Sequence, residues 1–310
     1  MMGIPFGETI HSPVDSERDM ALAEDLRKPV EQYFERHMDA RRDWLIDDIV
    51  PYELGRNYKD QPWSPEDYPM PDGVRDALLV NLLTEDNLPW YTHLIAGLTN
   101  ESHPLHDWAR RWTAEEDSHS NAMRLWLGPT RALDPVLLED SRMQQVEGAE
   151  VPRMKTVSEM LAYTSFQELA TGVAHRNAGK ELKRIDQLDG TLRHGGTVMA
   201  RLAGDEGHHH KFYRDVAKAG LEIDPSTMIL AISHQLRKFK MPGTGIPNFS
   251  QYEKTIAESG IYDVVAFRDQ VVKPTLGHWA IDAIPEEKLS SEAQKARTAI
   301  HRRIAVLDRI

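Results

Sequence analysis

Two short segments of the sequence each place a carboxylate three residues before an imidazole: WTAEEDSHS, with Glu116 and His119, and AGDEGHHHKF, with Glu206 and His209. On a helix, positions three apart share a face, so each pair can grip one metal ion from a rigid scaffold. Each pair also interrupts an apolar seam. Leu105, Ala109, Trp112, Glu116, His119, Met123 and Trp126 fall at alternating spacings of four and three, as do Met199, Leu202, Glu206, His209, Tyr213 and Val216. Such a stripe faces a core, and an ionised carboxylate there costs several kcal/mol or more unless it is paired or coordinates metal. Two metal ions explain both interruptions at once.

A bundle that holds two ions in this way needs one further Glu from each of two other helices. Glu85, in NLLTEDNLPWY, follows Leu82 by three residues and Leu78 by seven; Glu168, in YTSFQELATG, lies on a predicted helix that starts near Thr156. In chain order the pattern is Glu, Glu-x-x-His, Glu, Glu-x-x-His, far more specific than its parts. A lone Glu-x-x-His arises by chance on solvated helix faces. Asp205 with His208 has the same spacing but lies about 100° round the helix from Glu206 and His209, off the seam.

The elements that must position these groups are all helical. Apolar residues recur at three and four spacing over residues 17–40, 74–100, 105–127, 155–184, 189–219 and 225–240, and no sustained alternation marks a strand. The fold class expected is all-α, with a four-helix bundle at its core. Residues 51–73, rich in Pro, Asp and Tyr, read as an irregular surface connection, with further breaks around 128–135 and 241–247. No Gly/Ser linker divides the chain, so residues 1–310 read as a single domain with an irregular N-terminal segment and a C-terminal helical extension at about 251–310.

Composition narrows the chemistry. There is no cysteine, hence no thiolate site, and carboxylate with imidazole donors favour iron or manganese over structural zinc. The 37 basic against 49 acidic residues give a net charge of -12, which argues against nucleic acid and anionic lipid as partners. No uncharged apolar run reaches the roughly 18 residues of a membrane span. The first residues, MMGIPFGETIHSPVDSERD, lack the pattern of a secretory or transit peptide, so a cytoplasmic location is expected.

The strings TEDNLPWY, WTAEEDSH, SFQELATGVAHRNAGK, GDEGHHH and FKMPGTGIPNF resemble the soluble acyl-[acyl-carrier-protein] desaturases, especially the actinobacterial type, over about residues 30–270. That resemblance implies a ferritin-like bundle with two ferrous ions on Glu85, Glu116, His119, Glu168, Glu206 and His209. It implies dioxygen as oxidant, a fatty acyl chain on acyl carrier protein as substrate, a ferredoxin-type electron donor and a homodimer. It also suggests roles for Thr171 near the dioxygen site, for Asp205 as hydrogen-bond acceptor from a ligand imidazole, and for Trp63 at the far end of an electron path through Asp205.

The chain departs from the family at Asp117-Ser118 and Gly207-His208, where the family has Asn-Arg and Lys-Arg. These changes leave the ligands in place and alter their surroundings. A related oxygenase or hydroxylase, a ferroxidase and a non-enzymatic acyl- or iron-binding member are the competing readings.

Overall fold

The computed structural model describes residues 12–148 and 151–309, so most of the irregular N-terminal segment, residues 1–11, lies outside it. Among the described residues there is no β-strand. Asp15 caps α1 (Ser16–Asp25) by accepting from the Arg18 amide, and Leu26 joins it to α2 (Arg27–Ala40). The helix expected over 17–40 is thus a closely spaced pair.

The helix expected over 74–100 is also two, α3 (Asp72–Glu85) and α4 (Leu88–Ala96). Pro89 has no N–H for the Glu85 carbonyl, so the ladder stops there and Pro89 instead occupies the first turn of a new helix. Glu85 thereby becomes the last residue of α3. Then come α5 (Pro104–Thr130) and α6 (Pro135–Gly148). The periodicity misses α6 because it buries only Leu138 and Gln145 and so carries no apolar stripe.

The two longest helices follow, α7 (Val157–Asp189) and α8 (Gly195–Ile223). Thr156 caps α7 by accepting from the Glu159 amide, while Asp19 of α1 accepts from the amides of Val157 and Ser158 at 2.8 and 3.0 Å. Gly190, at φ +75°, ends it. Beyond lie α9 (Pro225–Lys238), α10 (Phe249–Glu258) and α11 (Val264–Ala266), which runs through a π-helical stretch, Phe267–Val272, into α12 (Lys273–Trp279); α13 (Ser291–Leu307) closes the chain.

Helices α3, α5, α7 and α8 form the four-helix bundle. The apolar core is divided into two clusters along its length. One holds Leu105, Trp108 and Trp112 of α5 with Phe212, Tyr213 and Val216 of α8; the other holds Met123 and Trp126 of α5 with Val198, Met199 and Leu202 of α8. Each fully buried Leu or Phe contributes about 1.5–3 kcal/mol. The claw residues 116–119 and 206–209 fall between the clusters, so the bundle carries a polar layer between two apolar ones.

Close approach of α7 and α8 depends on glycine. A Cβ on Gly179 would sit 2.8 Å from the Cβ of Met199, and one on Gly196 would sit 3.0 Å from the Gly179 carbonyl oxygen. Gly179→Val should therefore force the helices apart and cost about 1–3 kcal/mol. Thermal unfolding followed by circular dichroism checks this; an unchanged midpoint would show that Met199 simply moves aside. No helix among the described residues is long and apolar enough to cross a membrane.

Candidate metal centre

The bundle brings Glu85, Glu116, His119, Glu168, Glu206 and His209 together, all buried. Nδ1 of His119 lies 3.3 Å from Glu116, 3.5 Å from Glu206 and 3.7 Å from Glu85. Nδ1 of His209 lies 2.8 Å from Glu116 and 3.5 Å from Glu168. Donor atoms gather into two groups, Glu85, Glu116, His119 and Glu206, and Glu116, Glu168, Glu206 and His209, each spanning no more than 4.8 Å. Glu116 and Glu206 belong to both, and each group could hold a metal ion.

The electrostatics call for cations. Both oxygens of Glu206, Oε1 of Glu116, Oε2 of Glu168 and Nδ1 of both imidazoles are buried without a hydrogen-bond partner of acceptable geometry. Burial, reinforced by Glu116 and Glu168, pushes the Glu206 carboxyl well above its usual range, and burial with Glu116 raises Glu168. Burial opposes charge on Glu116 too, but His119 and His209 hold it low, and the neighbouring carboxylates push both imidazoles well above the usual imidazole range against their own burial. Divalent cations bound among these groups would relieve the crowding of four carboxylates. Carboxylate and imidazole donors fit iron.

Further side chains hold the six in place. The indole N–H of Trp112 donates to Glu168 at 3.2 Å, and Nε2 of His175 lies 2.9 Å from Glu85. His175 follows Glu168 by seven residues on α7 and so shares its face, a signal the sequence carried. Asp205 lies 3.4 Å from Nε2 of His119 and accepts from the Trp44 indole at 2.8 Å.

Trp63 sits elsewhere: its indole donates to the Arg131 carbonyl at 2.9 Å, with the Arg75 guanidinium over its ring. Arg131 binds residues 61–67 of the irregular connection through Gln61, Pro62 and Asp67, and so anchors Trp63 twelve residues beyond His119, roughly 18 Å along α5. The indole that meets Asp205 is Trp44, which the sequence reading did not single out.

A cavity of about 20 Å³ opens beside Glu85 and Glu116, lined by Thr84, Leu88, Tyr91, Trp112, Gln167 and Thr171. The Thr171 hydroxyl donates to the Gln167 carbonyl at 3.1 Å and accepts from the Gln167 side-chain amide at 3.4 Å. Gly207 is not required for close packing, because a Cβ there would meet nothing within 4 Å; it leaves only the helix cost of about 1 kcal/mol relative to Ala.

The sequence pattern of the fatty acid desaturases matches residues 18–310. The chain belongs to the fatty acid desaturase family. This desaturase is 35% identical over 292 residues to a protein of Mycobacterium tuberculosis named as acyl-[acyl-carrier-protein] desaturase DesA1, covering 90% of this chain and 83% of the relative. It is 26% identical over 277 residues to the chloroplastic stearoyl-[acyl-carrier-protein] 9-desaturase of Spinacia oleracea, covering 82% of this chain and 66% of that one. The X-ray structure named as acyl-ACP desaturase DesA2 from Mycobacterium tuberculosis superposes with a TM-score of 0.68 at 25% identity, over 87% of the desaturase and 100% of that chain. The ferritin-like, all-α architecture of the desaturase accords with that neighbour.

Proposed function

We propose that this desaturase holds two iron ions and introduces a cis double bond into a fatty acyl chain carried on acyl carrier protein. The observation that carries the reading is the pair of buried donor groups sharing Glu116 and Glu206, with unpartnered atoms turned inward beside a cavity. Glu85, Glu116, His119 and Glu206 would hold one ion, and Glu116, Glu168, Glu206 and His209 the other. Bound ferrous iron supplies the activation of dioxygen that removal of hydrogen from an unactivated carbon requires. One saturated two-carbon unit, one dioxygen, two electrons and two protons give one double bond and two waters; a ferredoxin-type donor supplies the electrons. The carrier enters from the names of the DesA1 and spinach relatives.

The protein's own work is confinement and orientation. A cavity of about 20 Å³ has room for roughly one water, so an acyl chain must displace wall side chains such as Leu88 and Tyr91 and takes the place of solvent as it enters. Trp112 and His175 fix Glu168 and Glu85, which keeps the donors in register with the cavity. Residues 251–310 contribute Ile256, Ile261, Val271, Leu276 and Ile300 to the same two apolar clusters as the bundle, which supports reading the chain as one domain.

The test is to reconstitute the protein with ferrous iron and a reducing system, supply acyl carrier protein loaded with saturated chains, and weigh the released acids. A loss of two hydrogens is the expected product. A gained oxygen would make the protein a hydroxylase, and unchanged acid under all conditions would remove the catalytic reading.

Thr171→Val should keep iron and helical content yet slow product formation on the order of tenfold or more, since it removes the hydroxyl of a residue that lines the cavity. The fraction of reductant consumed without product should rise. Wild-type turnover and coupling would leave Thr171 as a structural residue that bonds its own helix.

A further inference from the structure

Glu115 adjoins Glu116 but lies about 100° round α5, and four groups converge on it. Its Oε2 is 2.8 Å from Nε2 of His209 and 2.9 Å from Nε2 of His37 on α2. Its Oε1 accepts from Nε of Arg111 at 2.6 Å and Nε of Arg41 at 3.0 Å. The side chain is only 12% exposed, so its charge is balanced within the protein rather than by water. Burial alone would raise the carboxyl, but His209 and His37 hold it far below its usual range.

Donor atoms of His37, Glu115 and His209 lie within 4.8 Å of one another, a spacing that by itself suits a third cation. The guanidinium groups speak against one. They already place positive charge on Oε1, and an ion at Oε2 would take from Glu115 both imidazoles that bond it. A carboxylate so anchored has one remaining use, which is to hold the ring of His209.

The arrangement is reciprocal. Asp205, one residue before Glu206 on α8, meets Nε2 of His119 on α5; Glu115, one residue before Glu116 on α5, meets Nε2 of His209 on α8. The two anchors differ in charge. Asp205 accepts from the neutral indole of Trp44, whereas Glu115 meets two guanidinium groups and a second imidazole.

We propose that Glu115 is the positioning residue for His209: it accepts the Nε2 proton, fixing tautomer and ring plane with Nδ1 turned toward the metal, and Arg41, Arg111 and His37 hold it there. The inference rests on the metal-centre reading above.

Full-length protein stripped of metal is titrated anaerobically with ferrous iron, and separately with cobaltous ion, whose visible absorption reports coordination. In Glu115→Ala one of the two ions should bind about 10–100-fold more weakly and the other should be less affected. Glu115→Gln, which keeps an acceptor oxygen without charge, should fall between Glu115→Ala and wild type. Asp205→Asn should weaken the opposite ion.

Wild-type affinity for both ions in Glu115→Ala would overturn the proposal. So would equal weakening of both ions in Glu115→Gln, which folds as a near-isostere, because that marks a general structural role. A third ion in the wild type that is lost in His37→Gln would make Glu115 a ligand and also overturn it. Uptake of fewer than two ions by the wild type is a separate result: it removes the metal-centre reading itself, and this inference with it.

Discussion

Alanine at Glu116 or Glu206 is expected to strip the protein of both iron ions, while alanine at Glu85 or Glu168 is expected to leave one. The difference follows from membership, because Glu116 and Glu206 supply donor atoms to both groups and Glu85 and Glu168 to one each. Wild-type protein should carry about two ions per chain. The shared-carboxylate variants should fall well below one and lose turnover altogether; the other two should retain about one. Metal analysis after reconstitution, with circular dichroism to confirm helix content, makes the comparison. Folding should survive in Glu206→Ala, since both Glu206 oxygens are buried without a hydrogen-bond partner and their removal breaks no hydrogen bond. If all four variants lost iron equally, the division into two groups sharing a pair of carboxylates would be wrong.

Reversing two exposed cations at the end of α9, Arg237→Glu with Lys240→Glu, is expected to lower kcat/KM for acyl carrier protein substrates on the order of 10–100-fold at low salt. The net charge of -12 repels an acidic carrier, so attraction must come from a local excess of basic residues. Arg237, Lys238 and Lys240 supply it next to Lys155, which adds like charge at Lys238. This end of the fold also reaches the cavity wall. The Tyr163 hydroxyl donates to the Lys240 carbonyl at 3.2 Å and lies 3.1 Å from that of Tyr91, which lines the cavity.

The loss should sit in KM rather than kcat and should shrink as salt rises, because surface attraction is screened within about 10 Å at 0.1 M. Iron content serves as the control. Wild-type KM and wild-type salt dependence in the reversed variant would reduce the cluster to a favourable helix end.

The groups that meet at the centre were legible in the sequence wherever they broke a helical seam. Glu116, His119, Glu206 and His209 did so twice over, which fixed the register and with it the bundle. What the sequence hid was of two kinds. Partners far apart in the chain leave no local pattern: His175 and Glu85 are 90 residues apart, His37 and Glu115 78, Trp44 and Asp205 161. Elements with little burial leave no periodicity, as with α6, whose 14 residues bury two. Trp63 takes its place through the backbone carbonyl of Arg131, 68 residues on in the chain, a contact that no spacing rule describes. The break before Pro89 could have been foreseen from the missing N–H, but the apolar pattern runs straight across it.

That break sorts the candidate ligands by what holds their backbones. Glu116, Glu168 and Glu206 stand within helices of 27, 33 and 29 residues, their backbones locked by hydrogen bonds on both sides. Glu85 closes α3, and the chain beyond it turns through Asp86 and Asn87 before α4 begins. Its carboxylate is steadied instead by one imidazole, His175, at 2.9 Å. The place of Glu85 at the centre therefore depends on a contact from α7, where the backbones of Glu116, Glu168 and Glu206 are set by the helices that carry them.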